Sequence, residues 1–163
     1  MIPFLFLKPL QSTSDIIESA PTAEETISKP SEYEVLRTNS IAKKNRAIQT
    51  KLEKVISYTK QTMVAYMSEE DLNRLCTYVA EYSTGDTLQK ISPVKVDSQL
   101  KSIDIMHFGW NIGKAFGRKR IHTATFIKNV FAHTLRDSEI STIERKMSHT
   151  ESVCHIKLNG NLY

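Results

Sequence analysis

Apolar residues recur at steps of three and four residues along the middle of the chain. The recurrence is clearest over residues 40–67, a stretch that contains neither glycine nor proline. This spacing places the apolar side chains on one helical face and predicts one long amphipathic helix with a buried stripe. The stripe consists of Ile48, Leu52, Val55, Thr59, Met63 and Tyr66.

A second helix is predicted to begin after Ser68 and to end at Gly85. Ser68 can accept a hydrogen bond from a backbone amide of the first turn, and the acidic residues 69–71 complement the positive end of the helix. Gly85 supplies a stop because glycine readily adopts the left-handed conformation. Residues 88–99 contain Pro93 and alternate only weakly, so we expect a connector that crosses the domain, with a short strand at most.

The centre of the pattern is residues 102–135, where two apolar blocks flank the basic run Arg118-Lys119-Arg120. These blocks predict two core helices, with Gly117 ending the first. The first helix is apolar around so much of its girth that we expect Trp110 to be largely buried. The basic run then lies at the negative C-terminal end of that helix, where its charge is favourable.

Gly109 and Gly113 are four residues apart in the first core helix and therefore lie on one line along it. Without side chains on that line, a neighbouring helix can approach closely. The spacing is a packing signal, since its stronger meaning belongs to membrane helices.

The C-terminal part predicts a short helix and a short strand. Ser138 or Ser141 can cap the helix, and Ser141 with Glu144 has the spacing of a capping box. Residues 153–158 alternate between apolar and polar side chains, a pattern that suits a half-buried strand. The predicted fold class is therefore mainly α: a small helical bundle with room for a short C-terminal strand.

Residues 1–40 differ from the rest in composition and predict a loose N-terminal tail ahead of a helical domain over residues 41–163. The tail is acidic, rich in Ser, Thr, Glu and Pro, and poor in large apolar side chains after residue 10. Its first residues are the exception, since residues 2–7 are almost all apolar. They form a candidate docking arm, with fraying of the chain end as the alternative.

Charge is unevenly distributed along the 163 residues, whose net charge is +4. Residues 1–40 and 68–100 each carry −3, whereas residues 41–67 and 101–163 each carry +5. Two basic segments around an acidic one favour an electrostatic face of the kind that attracts phosphate backbones.

The first functional hypothesis is a DNA-binding or DNA-associated regulatory protein that uses a helix-turn-helix-like segment near the C-terminus. Helix, turn, short basic helix and strand follow in the order of such a motif with a small wing. Residues of the short helix would read base edges, and basic residues elsewhere would hold phosphates. The candidate nucleic-acid-binding residues are Lys43, Lys44, Arg46, Arg118, Lys119, Arg120, Thr142, Arg145 and Lys146, with His149 as a further reader. For each of them a solvated helix surface is the alternative interpretation.

The second hypothesis belongs to another class, a protein-interaction or scaffold module. It would use the apolar arm at residues 2–7 and the long helix over residues 40–67, either toward a protein partner or in self-association.

No motif indicates an enzyme, a cofactor or a metal. Asp104 and His107 are three residues apart and can meet on one helical face, where they could orient a general base, although a helix-surface ion pair is the commoner case. Cys76 and Cys154 form no C-x-x-C motif, and nothing in their spacing favours a disulfide. No run approaches the roughly 18 apolar residues that span a bilayer, so we expect a cytoplasmic protein without a membrane partner.

Overall fold

The computed structural model describes residues 28–150 and 153–162. Within this part of the chain five α-helices follow one another, and no β-strand forms. They span α1 Glu32–Met63, α2 Glu69–Thr84, α3 Ser102–Ala115, α4 Arg120–Val130 and α5 Ile140–Lys146. The predicted fold class, a mainly α helical bundle, is confirmed.

Helix α1 begins earlier than the apolar pattern indicated. Ser31 Oγ accepts from the Glu34 amide at 3.2 Å, and the Glu34 carboxylate accepts from the Ser31 amide at 3.0 Å. This capping box satisfies amides that a helix otherwise leaves open at its first turn. The predicted boundary at residue 40 therefore falls inside α1. Residues 1–27 of the predicted tail, which include the arm, lie outside the described residues, and the predictions for them stay predictions.

Both predicted ends of α2 are confirmed. Ser68 Oγ accepts from the Asp71 amide at 3.2 Å, and Gly85 takes a left-handed φ of 86°. The connector beyond Gly85 then crosses the bundle without forming a strand. Its backbone is held by single hydrogen bonds, from the Val94 amide to the Val130 carbonyl at 2.9 Å and from the Asp97 amide to the Tyr66 carbonyl at 2.6 Å.

Helices α3 and α4 pack closely along the glycine line. A Cβ atom at Gly109 would lie 2.7 Å from Cγ2 of Ile127, and one at Gly113 would overlap the side chain of Thr123. Because both positions are glycine, the backbone of α3 comes within reach of α4 side chains that a larger residue would push away. The predicted close approach of a neighbouring helix is confirmed.

Trp110 is partly exposed but packs against the hydrophobic core, in line with the prediction of a largely buried indole. One side of α3 stays at the surface, where Lys114 is exposed one turn further along. The ammonium of Lys114 lies 4.7 Å from the centre of the indole ring, a cation–π contact at the edge of the core. The deepest positions of α3 belong instead to Ile105, Phe108 and Ile112, which are fully buried.

Helix α5 and the C-terminal segment also depart from the predictions. The N-cap of α5 is Glu139, whose side chain makes no capping hydrogen bond, so the predicted caps at Ser138 and Ser141 are wrong. The strand predicted over residues 153–158 does not form. Its backbone groups bind side chains of α3 instead of a neighbouring strand.

Candidate functional site

Two of the three residues in the basic run between α3 and α4 donate hydrogen bonds to backbone carbonyls of other helices. Arg118 Nη2 donates to the carbonyl of Ser83 at 2.6 Å, and its guanidinium lies against Gly85 at the end of α2. Its charge therefore complements the negative end of α2 and not, as predicted, the end of α3. Within the described residues Arg118 Nε is buried without a hydrogen-bond partner.

Arg120 performs the same role for α5. Its Nε donates to the Glu144 carbonyl at 3.2 Å, its Nη1 donates to Ser148 Oγ at 3.1 Å, and its Nη2 also contacts the Glu144 carbonyl. The Glu144 carbonyl belongs to the last turn of α5, whose carbonyls otherwise lack donors, and Ser148 follows shortly after the helix. The start of α4 is thereby joined to the end of α5.

This junction brings together four of the predicted basic residues. We call Lys119, Arg120, Arg145 and Lys146 the basic corner; all four are exposed. Arg120 Nη2 also lies 3.4 Å from the Arg145 carbonyl, which places the two segments side by side although they are distant in sequence. The corner carries four positive charges, with the acidic Glu144 in the same turn of α5.

The segment from α4 to α5 differs from a helix-turn-helix in its connection. Residues 131–139 separate the two helices, more than twice the roughly three to four residues of that motif. The residues of α5 that were predicted to read bases differ in exposure. Thr142 is half-buried, whereas Arg145 and Lys146 are exposed.

The remaining predicted basic residues, Lys43, Lys44 and Arg46, lie on α1 and are exposed. Among the described helices, α1 contacts α2 and α3 but neither α4 nor α5. Helix packing therefore does not place these three residues beside the basic corner.

The most unusual surface is the first part of α1. Every residue from 32 to 50 is exposed, a length of about 28 Å at 1.5 Å per residue. We call residues 32–50 the projecting segment. Burial of α1 begins only near Leu52, with Val55 the first fully buried side chain. The bundle thus supports only the second part of the helix.

Large apolar side chains lie on this projecting segment. Tyr33 is 70% exposed, Leu36 61%, Ile48 56% and Ile41 50%. The prediction that Ile48 belongs to the buried stripe is wrong, because the bundle does not extend that far along α1. Ile41 and Ile48 nevertheless continue the line of Leu52 and Val55 beyond the bundle, at helical spacing.

A polar row on α3 was the main feature that sequence reasoning undervalued. Asp104, His107 and Asn111 are buried, at one-turn intervals along the helix. Asp104 Oδ1 accepts from the amides of His155 and Ile156, at 2.6 and 3.0 Å. Polar residues spaced by single turns on an otherwise apolar helix were the available signal.

The other two members of the row bind the same C-terminal stretch and, in addition, the backbone just after α5. The ring nitrogens of His107 lie 2.7 Å from the Ile156 carbonyl and 2.6 Å from the His149 carbonyl. Asn111 Nδ2 donates to the Lys157 carbonyl at 2.8 Å, and its Oδ1 accepts from the Asn159 amide at 2.6 Å. Backbone groups thus occupy the polar atoms of Asp104 and His107 that a catalytic pair would use.

A cavity of about 230 Å³ lies between the end of α2 and the start of α4. Its walls include Tyr82, Leu88, Arg118, His122 and Phe126. Burial raises the pKa of the Tyr82 phenol, partly offset by its hydrogen bond with the Thr123 hydroxyl at 2.7 Å and by the nearby charge of Arg118. The phenol is therefore a neutral hydrogen-bonding group rather than a nucleophile at neutral pH.

A second groove, of about 310 Å³, runs between α1 and the C-terminal segment and is lined by Tyr58, Tyr66, His155 and Asn159, among others. Burial raises the pKa of the Tyr58 phenol, while hydrogen bonds with Asn111 and Thr62 act in the opposite direction.

The surroundings of the two cysteines and of the remaining possible metal ligands bear on whether a reactive thiol or a metal site is present. Cys76 and Cys154 are free and half-buried, and burial raises the pKa of the Cys76 thiol. Across residues 28–150 and 153–162, no three His, Cys, Asp or Glu side chains are grouped so that they could hold a metal ion. In the same ranges no helix has both the length and the apolar character needed to cross a membrane.

Comparison with protein-family models, with curated proteins and with solved structures finds no match to this chain in any of the three.

Proposed function

We propose that the protein is a protein-interaction module whose projecting segment, residues 32–50 of α1, docks onto a helix of another molecule. The observation that carries this proposal is the exposure of the whole segment, apolar side chains included. A partner helix laid along it would cover Ile41 and Ile48 and extend the core line of α1.

The energetics of an unsupported helix favour such a role. Most helical stability in proteins comes from packing of an apolar face, and the projecting segment packs against no other described helix. Complete burial of an isoleucine side chain contributes about 1.5–3 kcal/mol, and Ile41 and Ile48 still expose half of their surface or more. Docking would therefore stabilise both the segment and the complex.

A second candidate function is binding of nucleic acid through the basic corner. What favours it is the convergence of Lys119, Arg120, Arg145 and Lys146 at the junction of α4 and α5. Such a patch suits phosphate contacts, which confer affinity without reading sequence. Two features argue against readout of bases by α5. The connection before α5 is longer than in a helix-turn-helix, and Arg120 is already bound to the carbonyl of Glu144 at the end of α5.

Site-directed photo-crosslinking in the cells that make the protein separates the two functions. A photoreactive phenylalanine analogue replaces Ile48, Lys146 or, as a control on the opposite face of α1, Lys43. We expect protease-sensitive adducts from position 48 and far fewer from position 43. Nuclease-sensitive adducts from position 146 alone would favour the second function. Equal yields at 48 and 43 would overturn the interaction proposal.

A further inference from the structure

The projecting segment has a seven-residue register that is continuous with the core. Ile41, Ile48 and Val55 are seven residues apart, and Asn45 and Leu52 form the second line of the same seam. Toward the start of α1 the two lines continue with Glu34 and Thr38, so the apolar part of the seam begins at Ile41. These two lines are the inner positions of a coiled coil, in which the apolar seam faces the partner helix. A polar Asn within such a seam fixes register at a cost in stability.

The edges of this seam carry charge of one sign. Arg37, Lys44 and Lys51 follow one edge at seven-residue intervals, whereas Val35, Ala42 and Gln49 follow the other. Neither edge contains an acidic residue over these positions; the nearest carboxylate on the inner lines is Glu34, three residues before Arg37. In coiled coils the edge positions select the partner through charge.

From this arrangement we infer that the projecting segment binds an amphipathic helix whose own seam is flanked by acidic side chains. The inference rests on the proposed function and specifies the chemistry of the partner. Glutamates beside the partner's seam would face Arg37 and Lys44 across the interface. The apolar lines would meet along Ile41 and Ile48.

A second copy of the chain fits this surface less well. Antiparallel copies would bring Lys44 and its row against the identical row, and like charges at such spacing repel. Parallel copies would bring the basic row against Val35, Ala42 and Gln49, without any gain from charge. Duplex DNA could use the basic row, but it offers no apolar seam for Ile41 and Ile48.

Three synthetic helical peptides provide the probe. They share one heptad seam of isoleucine with a single asparagine, and their edge positions are all Glu, all Gln or all Lys. The all-Glu and all-Lys peptides do not pair with themselves, because like charges face each other. Fluorescence anisotropy with the full chain at low salt measures their dissociation constants.

We expect the Glu peptide to bind on the order of tenfold more tightly than the Gln peptide, from a few charge pairs, and the Lys peptide to bind least. The double substitution Arg37→Glu with Lys44→Glu should reverse the order of the Glu and Lys peptides. Lys43→Glu changes the same charge on the opposite face and should leave the order intact. Ile48→Asn should weaken binding of all three; circular dichroism checks that each variant keeps its helices.

The outcomes separate the inference from the proposed function. Equal affinity for the Glu and Gln peptides overturns the acidic partner but leaves helix docking in place. A dimer seen by light scattering and dissolved by Ile48→Asn identifies a second copy as the occupant and also overturns the inference. Binding of duplex DNA that Lys44→Glu reduces and Ile48→Asn does not would assign the segment to nucleic acid. Binding of no probe overturns the inference, while crosslinking at position 48 tests the function independently.

Discussion

Replacing Asp104 by alanine tests what holds the C-terminal segment on the bundle. The carboxylate accepts from the amides of His155 and Ile156 and, through Oδ2, from the Lys101 amide at 2.9 Å. It therefore supports the start of α3 and the docked segment at once. Asp104 is fully buried, so water cannot easily take over its role.

The size of the effect follows from two competing estimates. A hydrogen bond to a charged group contributes about 1.5–3 kcal/mol, so loss of the two segment bonds predicts a cost of about 3–6 kcal/mol. The segment can instead detach and hydrate its amides, which limits the cost to what docking itself contributes. Burial of Ile156, about 1.5–3 kcal/mol, and its neighbouring hydrogen bonds set that limit. We expect a loss of about 3 kcal/mol, mostly as local detachment.

Amide hydrogen exchange measures this detachment residue by residue. In Asp104→Ala the amides of His155 and Ile156 should exchange about 100-fold faster, since each 1.4 kcal/mol is a factor of ten. Asp104→Asn keeps one acceptor oxygen, so its exchange rates at these two amides should lie between those of the wild type and those of Asp104→Ala. Asp137→Ala, at a carboxylate that is 90% exposed, is the matched control. Unchanged exchange in Asp104→Ala would refute the assignment of this carboxylate as the group that holds the C-terminal segment on the bundle.

Two further predictions concern helix packing and pH. Gly113→Ala should lower the free energy of unfolding, because overpacking against Thr123 costs about 1–3 kcal/mol while the better helix propensity of alanine returns at most about 1 kcal/mol; a urea midpoint equal to or above wild type would contradict the close contact. Burial raises the pKa of Asp71, but hydrogen bonds from Arg74 and Ser68 outweigh it and leave the pKa below its usual value. The stabilisation, below about 1 kcal/mol for a partly exposed pair, is thus present above about pH 4 and lost as the pH falls further. Urea midpoints of wild type and Asp71→Asn should converge on acidification, and a constant gap from pH 6 to pH 3 would count against this linkage.

Local signals in the sequence identified the helices and most of their ends. The cap at Ser68 and the left-handed glycine at Gly85 act within a few residues of their own positions, so their effects can be read without the fold. The same holds for the apolar spacing that places Phe108 and Ile112 in the core. The start of α1 was missed although Ser31 and Glu34 have capping-box spacing, because the polar composition around them resembled a loose tail.

Only the tertiary structure decided which groups meet across the chain. Arg118 and Arg120 are neighbours in sequence, yet they bind carbonyls at the ends of two different helices, α2 and α5. Apolar periodicity specifies which face of α1 can be buried, but burial also needs a neighbour at that height, so Val55 is enclosed while Ile48 is not. The backbone of residues 153–158 could likewise form hydrogen bonds either with a neighbouring strand or with side chains of α3. The buried carboxylate of Asp104 decides between these two arrangements, because it accepts from the amides that a neighbouring strand would otherwise bind. Asp104 lies about fifty residues away in sequence.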